Sequence, residues 1–339
     1  MKDILPIGKL PPDLLGSLLS SYKISDPNVI VGPKVGEDCA VIDVGGDSYL
    51  VAKTDPITFA TDEIGWYLVC VSSNDIATMG AIPKWLLVTA LLPEKKTTEQ
   101  LVKDIFSQIT NACEQFNITL CGGHTEITYG LDRPILVGQL LGQVRKDKLV
   151  TSSGAKVGDD IILTKGIAIE ATSIIAREKE SILLQRGYSQ QYIEKAKQFL
   201  KIPGISVLKE AIIANEIGGV NAMHDPTEGG LATGLNEIAQ CSQIGITIWK
   251  DKIHVFSECK SLCNEFNIDL MGVIASGALL IIADPSKSDD IIDAINQNGI
   301  QCSKIGKVTE KEKGLIIKDG LDKYPFPTYL TDEITKIFI

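Results

Sequence analysis

Four short acidic, glycine-bearing motifs recur along this chain: Gly36-Glu37-Asp38-Cys39-Ala40, Lys53-Thr54-Asp55, Asn74-Asp75 closed by Gly80-Ala81, and His224-Asp225-Pro226-Thr227-Glu228-Gly229-Gly230. Each places an aspartate where a strand or helix begins or ends. Between the third and fourth lies Gly122-Gly123-His124-Thr125-Glu126. A fold that gathers these aspartates into one pocket must also supply cations, because a buried unpaired charge costs several kcal/mol. Mg²⁺ and the phosphates it carries are the natural counter-ions.

The chain has 339 residues, 44% hydrophobic and 22% charged, which is the composition of an ordinary globular protein. That length predicts two domains of about 100–200 residues each. A net charge of −10 argues against nucleic acid and anionic membranes as partners, so an anionic substrate must be met by local cations. Asp3, Lys9, the Pro11-Pro12 pair and Asp13 interrupt any secretory apolar segment within residues 1–20. The longest apolar stretch, 271–283, holds two glycines and a serine and is too short to span a bilayer. The eight cysteines are scattered without a Cys-x-x-Cys pair, which fits a reducing cytoplasm and mostly buried thiols.

Periodicity predicts a helix over 12–22, with Leu14, Leu15, Leu18 and Leu19 as its apolar residues. Strands follow at 39–44 and 48–53 around a Gly45-Gly46-Asp47 hairpin turn. Asp62 is the expected cap of a helix running through Ile64, Leu68, Val71 and Ile76 to Gly80, and 85–92 reads as a buried strand. Thr97-Thr98-Glu99 opens a helix that buries Leu101, Ile105, Ile109 and Phe116. Strands at 118–121 and 135–144 complete a first sheet. The fold class is α+β with an α/β-like N-terminal half. Charged and small residues across 145–158 mark a join between domains 1–148 and 149–339. The second domain is expected to be α+β, with strands near 160–164, 244–249, 278–283 and 302–308 and a helix opened by Gly229-Gly230.

The hairpin brings Asp38 and Asp55 to the same end of a two-stranded ribbon, a geometry that suits a metal, although either motif alone is also the composition of an ordinary turn. Asp75 sits in a helix that is apolar on nearly every side, so it calls for a partner. The run from His224 to Gly230 reads as strand, acidic turn, double glycine and helix, giving a helix N-terminus able to meet an anion. Gly122 and Gly123 lack the Gly-Lys-Ser/Thr ending of a P-loop and equally fit a strand bend. His124 and Thr125 offer donors to phosphate, and Glu126 a metal or water contact. Lys34 can bring positive charge to a γ-phosphate or stand as a solvated loop lysine. Neither a nucleophilic triad nor a zinc pattern is present, which leaves metal-dependent phosphoryl chemistry.

The whole set, in this order and spacing, resembles the ATP-binding superfamily of aminoimidazole ribonucleotide (AIR) synthetase, selenophosphate synthetase, thiamine-monophosphate kinase and the hydrogenase maturation protein HypE. The stretch Asn74 to Pro83, and Gly122 to Glu126 followed by Leu131-Asp132-Arg133-Pro134, are most similar to HypE-like, AIR-synthetase-related proteins. The resemblance implies a two-domain AIR-synthetase-like fold, an N-terminal sheet that forms a homodimer interface, and ATP at the junction of domains and subunits. It implies Mg²⁺ on Asp38, Asp55, Asp75 and Asp225, and the segment 122–125 against the nucleotide. Lys34, Gly36, Gly122, Gly123, His124 and Thr125 are then the candidate nucleotide contacts, and Asp75, His124 and Glu126 the candidate catalytic residues. The implied chemistry is ATP-dependent activation or phosphorylation of a carbonyl, amide or acid oxygen, on a small or protein-borne substrate, with a maturation protein as a candidate partner. The alternatives are a non-catalytic nucleotide-binding partner protein and a small-molecule kinase. Three departures stand out: the chain ends Lys336-Ile337-Phe338-Ile339 without HypE's terminal cysteine, no cysteine precedes Cys39, and His124 replaces the aspartate of thiamine-monophosphate kinases.

Overall fold

The computed structural model describes residues 5, 10–34, 36–58, 60 and 62–338; most of the first nine residues, Val35 and the terminal Ile339 lie outside them. The first unit runs α1 (Pro12–Ser20), β1 (Val29–Val31), β2 (Ala40–Ile42), β3 (Ser48–Ile57), α2 (Ile64–Thr78), β4 (Ile82–Pro93), α3 (Glu99–Phe116), β5 (Thr119–Thr128) and β6 (Ile135–Arg145). Its sheet has the order β1-β2-β3-β6-β4-β5. Helices alternate with strands as expected, yet among the described residues of this sheet only β4 and β5 pair in parallel.

Helix α2 is buried along almost its whole length, as an all-round apolar sequence demands. It lies close on β6 because Gly138 and Gly142 leave room: a Cβ on Gly138 would come within 2.8 Å of Ser72 Oγ, and one on Gly142 within 2.4 Å of Ile76. Asp62 does not cap this helix. The capping position falls to Glu63 in a left-handed conformation without a side-chain cap, while Asp62 pairs with Arg177 of the second unit. Thr98 does cap α3, accepting from Leu101 N.

The second unit comprises β7 (Asp160–Thr164), α4 (Ile169–Glu178), α5 (Glu180–Gln185), α6 (Gln190–Lys197), α7 (Leu208–Ile217), β8 (Val220–His224), α8 (Gly230–Ser242), β9 (Gly245–Trp249), α9 (Ser257–Glu265), β10 (Leu280–Ala283), α10 (Pro285–Gln297), β11 (Cys302–Thr309), β12 (Leu315–Asp319) and β13 (Asp322–Pro325). Its sheet has the order β13-β12-β9-β11-β7-β10-β8. Every residue of the interior strand β7 is buried, with α7 and α10 packed over one face and α8 over the other. No helix among the described residues is long and apolar enough to cross a membrane.

The units are joined by specific hydrogen bonds rather than by apolar contact alone. Asn74 on α2 donates to Ile205 O at 2.9 Å and accepts from Val207 N at 2.9 Å. Asn215 on α7 donates to Gly80 O and Lys148 O, both at 3.0 Å. Removing the Asn74 amide strands two buried backbone groups, each worth about 1–3 kcal/mol. Asn74→Ala is therefore expected to lower unfolding stability by roughly 2–4 kcal/mol, read from urea denaturation. A change within 0.5 kcal/mol, roughly that of an ordinary surface substitution, would contradict this role.

Candidate functional site

The chain segments that carry the acidic motifs meet where α2, β3, the turn before β2 and the end of β8 come together. Asp38, Asp75 and Asp225 each present a carboxylate oxygen within 4.8 Å of the other two. At such a spacing each pair of unit charges repels by about 3–4 kcal/mol at an effective dielectric near 20. Asp225 is 2% exposed, and its Oδ2 has no hydrogen-bond partner. Burial, opposed by Lys53 and added to by Asp225, Asp55 and Asp38, pushes the Asp75 carboxyl well above the usual range. Burial and the Asp38 charge lift Asp225 to about 7, against the pull of His224 and Lys53. Hard oxygen donors close together and an unsatisfied buried carboxylate oxygen fit a small divalent cation.

Asp55 stands beside this group rather than within it. Alternation along β3 puts Lys53 and Asp55 on the face toward α2, and the Lys53 ammonium lies 3.0 Å from Asp75 Oδ2 and 3.5 Å from Asp55 Oδ2. The motif held Lys53 in plain view, since a residue two before Asp55 must share its face. His224 is also part of the site: its ring lies between Asp38 Oδ2 at 3.2 Å and Glu237 Oε2 at 2.9 Å. These carboxylates raise its pKa well above the usual value in spite of burial. Glu237 follows from no sequence signal, being one polar residue on α8.

The expected glycine segment is not a loop. Gly122, Gly123, His124, Thr125 and Glu126 all lie inside β5, at the edge of the sheet. A register shift leaves Cys121 as an extra residue between Leu120, opposite Leu86, and Gly122, opposite Leu87. Gly123 is required there, because a Cβ would come 1.9 Å from Val88 O, so the strand-bend reading accounts for it. Register also settles the faces. Asp55, Gly138, Val88 and Gly123 form one row across the sheet, on the side of α2. His124 shares a row with Thr89 and Val137, and Glu126 with Leu91 and Ile135, on the opposite side. Three strand spacings, about 14 Å, separate β5 from β3. Within one chain His124 and Glu126 therefore do not join the aspartates. They pair with each other, His124 Nε2 to Glu126 Oε2 at 3.1 Å, and Thr128 Oγ1 donates to Glu126 Oε1 at 3.0 Å.

Lys34 is exposed before Gly36, its carbonyl accepting from Glu37 N. Gly36 has φ +85°, and a Cβ there would meet Cys241 Sγ at 2.3 Å, so the turn lies hard against α8. The double glycine at the start of α8 does meet an anion, but that anion is the chain's own Asp332. Its carboxylate accepts from Gly229 N at 2.6 Å, Ile334 N at 2.7 Å and Ile274 N at 3.2 Å. A separate cavity of about 500 Å³ is lined by Glu63, Trp66, Gln108 and Lys201 among others; no residue of the aspartate group lines it.

The family description "AIR synthase related protein, N-terminal domain" matches residues 36–144, and its C-terminal counterpart matches 156–318. The chain belongs to the AIR synthase-related family. Over 319 residues it is 29% identical to a Methanocaldococcus jannaschii protein that bears the name hydrogenase expression/formation protein, covering 92% of this chain and 91% of the relative. It is 27% identical over 314 residues to the selenide, water dikinase of the same organism, covering 89% and 88%. Its fold is similar to that of the hydrogenase maturation protein HypE solved in complex with ATP, with TM-score 0.71, 18% identity, and 91% and 92% of the two chains covered.

This AIR synthase-related chain carries one more unusual acid. Glu170, in the first turn of α4, is 6% exposed and its Oε2 has no hydrogen-bond partner. Burial lifts its carboxyl to about 7, with Ser276 opposing and Asp332, Glu228 and Asp225 adding to the rise. An acid whose folded pKa lies above its unfolded value contributes fully below about 4.5, and that contribution is lost as pH rises through about 7. Glu170→Gln is expected to gain about 1–3 kcal/mol over the parent at pH 8 and much less at pH 5, in urea denaturation at both. An equal effect at the two pH values would contradict the assignment.

Proposed function

We propose that the chain is a Mg²⁺·ATP-dependent, HypE-like enzyme of the cytoplasm. It activates a carbonyl, amide or acid oxygen by phosphoryl transfer, in hydrogenase or other metallocentre maturation. The observation that carries this reading is the group of half-buried Asp38 with buried Asp75 and Asp225, and the unsatisfied oxygen on Asp225. In it the three carboxylates hold Mg²⁺, which would neutralise charge on the transferring phosphoryl group. Asp55 would fix Lys53, and Lys53 would steady Asp75. Lys34 and Gly36 stand at the mouth of this region as phosphate contacts. His124 and Glu126 enter as the catalytic pair of a partner copy, with Gly122, Gly123 and Thr125 beside them. A carboxylate bonded to one imidazole nitrogen orients the ring to move a proton at the other. Catalysis is then mostly positioning and electrostatic stabilisation.

The separation of His124 from the aspartates within one chain favours a second reading, a nucleotide-binding partner protein without chemistry of its own. A screen for ADP release with Mg²⁺, over amides, carbamoyl donors, selenide and thiamine monophosphate, separates the two. Release stimulated by one acceptor class is expected; tight Mg²⁺·ATP binding with no release over all of them would favour the second reading.

A further inference from the structure

The His224 ring is walled in with more care than a core histidine requires. On one side Gly234 of α8 faces it so closely that a Cβ there would come 3.1 Å from His224 Cδ2. One helical turn further, Glu237 reaches the ring Nε2 at 2.9 Å. On the other side Nδ1 lies 3.2 Å from Asp38 Oδ2. The turn bearing Asp38 is itself pressed on α8 through Gly36, next to Cys241, which lies four residues after Glu237. Two glycines, one on each partner, thus make the approach possible. The ring side chain is 7% exposed, Asp38 17% and Glu237 29%.

Both ring nitrogens face a carboxylate, so both donate: Nε2–H to Glu237 and Nδ1–H to Asp38. Glu237 fixes the plane of the ring, and the ring fixes one oxygen of Asp38. A carboxylate so held loses little freedom in binding a cation. Asp38 belongs to the first unit, whereas His224 and Glu237 belong to the second. We propose that His224 and Glu237 are positioning residues that set Asp38 for the divalent cation, so that the carboxylate group is assembled only when the two units are in contact. The proposal rests on the reading of Asp38 as a cation ligand.

The test is calorimetric titration of the full chain with Mg²⁺·ATP, alongside thermal melting, for Asp38→Asn, Glu237→Ala, Glu237→Gln and the Asp38→Asn/Glu237→Ala pair. Glu237→Ala is expected to weaken binding by about 10- to 100-fold, the scale for groups that orient metal ligands. Glu237→Gln, which can still accept from the ring, should regain most of that loss. The double variant should bind no more weakly than Asp38→Asn alone, because both remove the same contact. Parent-like affinity in Glu237→Ala, with or without a lowered melting temperature, overturns the proposal while leaving the ligand reading intact if Asp38→Asn is weakened. Parent-like affinity in Asp38→Asn overturns the ligand reading and the proposal with it. Should Glu237→Ala fail to fold, His224→Asn, which keeps a donor near Nδ1 and loses the link to Glu237, carries the same comparison.

Discussion

Asp75→Asn is expected to weaken Mg²⁺·ATP binding by roughly 1–3 kcal/mol, about 5- to 150-fold, while raising the melting temperature of the cation-free protein. The two effects share one cause. Asp75 is buried among like charges, opposed by Lys53 at 3.0 Å. An amide of the same shape removes the repulsion with Asp38 and Asp225 but cannot supply a charged ligand. Asp225→Asn should behave alike, since Asp225 has an unsatisfied oxygen and a carboxyl lifted to about 7. Calorimetry with and without EDTA, together with melting curves, reads both effects. Unchanged affinity in both variants, or parent affinity in EDTA, would contradict the cation site.

The second large effect concerns assembly. The outward face of the first sheet carries Trp85, Leu87, Leu91, Val137 and Leu141, all only half-buried, and no helix among the described residues covers it. The edge strand β5 runs ten residues, with Ile127 62% exposed and Tyr129 just beyond it 86% exposed. A long unpaired edge beside an apolar face invites a second copy. We therefore expect a homodimer, about twice the 36.6 kDa chain mass by light scattering at micromolar concentration. The shared-site reading further requires this assembly to bring His124 and Glu126 of one copy past the strand ends toward the aspartates of the other, because Asp55 and Asp75 lie on the α2 side of the sheet. Leu141→Arg buries a charge in such an interface, at several kcal/mol, and should give a monomer with severely weakened Mg²⁺·ATP binding. A monomeric parent that binds Mg²⁺·ATP tightly would contradict both the interface and the shared site.

The acidic positions were legible because their chemistry conflicts with their surroundings. An aspartate in an apolar helix has few ordinary explanations, one behind a glycine at a strand end gains weight only beside others, and three of the four such aspartates do present carboxylate oxygens within 4.8 Å of one another. The face of His124 was not legible. Alternation assigns faces only when the register is known, and the extra residue at Cys121 shifts it by one. Asp62 looked like a cap because caps are read from residue type, yet its carboxylate goes to Arg177, more than a hundred residues away. The hairpin of β12 and β13 was missed because Lys318, Asp319, Asp322 and Lys323 dilute its pattern with charge. Asp332 at the start of α8 depends on a contact across about a hundred residues and leaves no local trace.

A crystal structure of the full chain with Mg²⁺ and a non-hydrolysable ATP analogue tests the central claim most directly. Mg²⁺ is expected at about 2.0–2.1 Å from oxygens of Asp38, Asp75 and Asp225, with the analogue's phosphates completing its shell. Phosphates bound elsewhere, with Asp225 Oδ2 still without a partner, would contradict it.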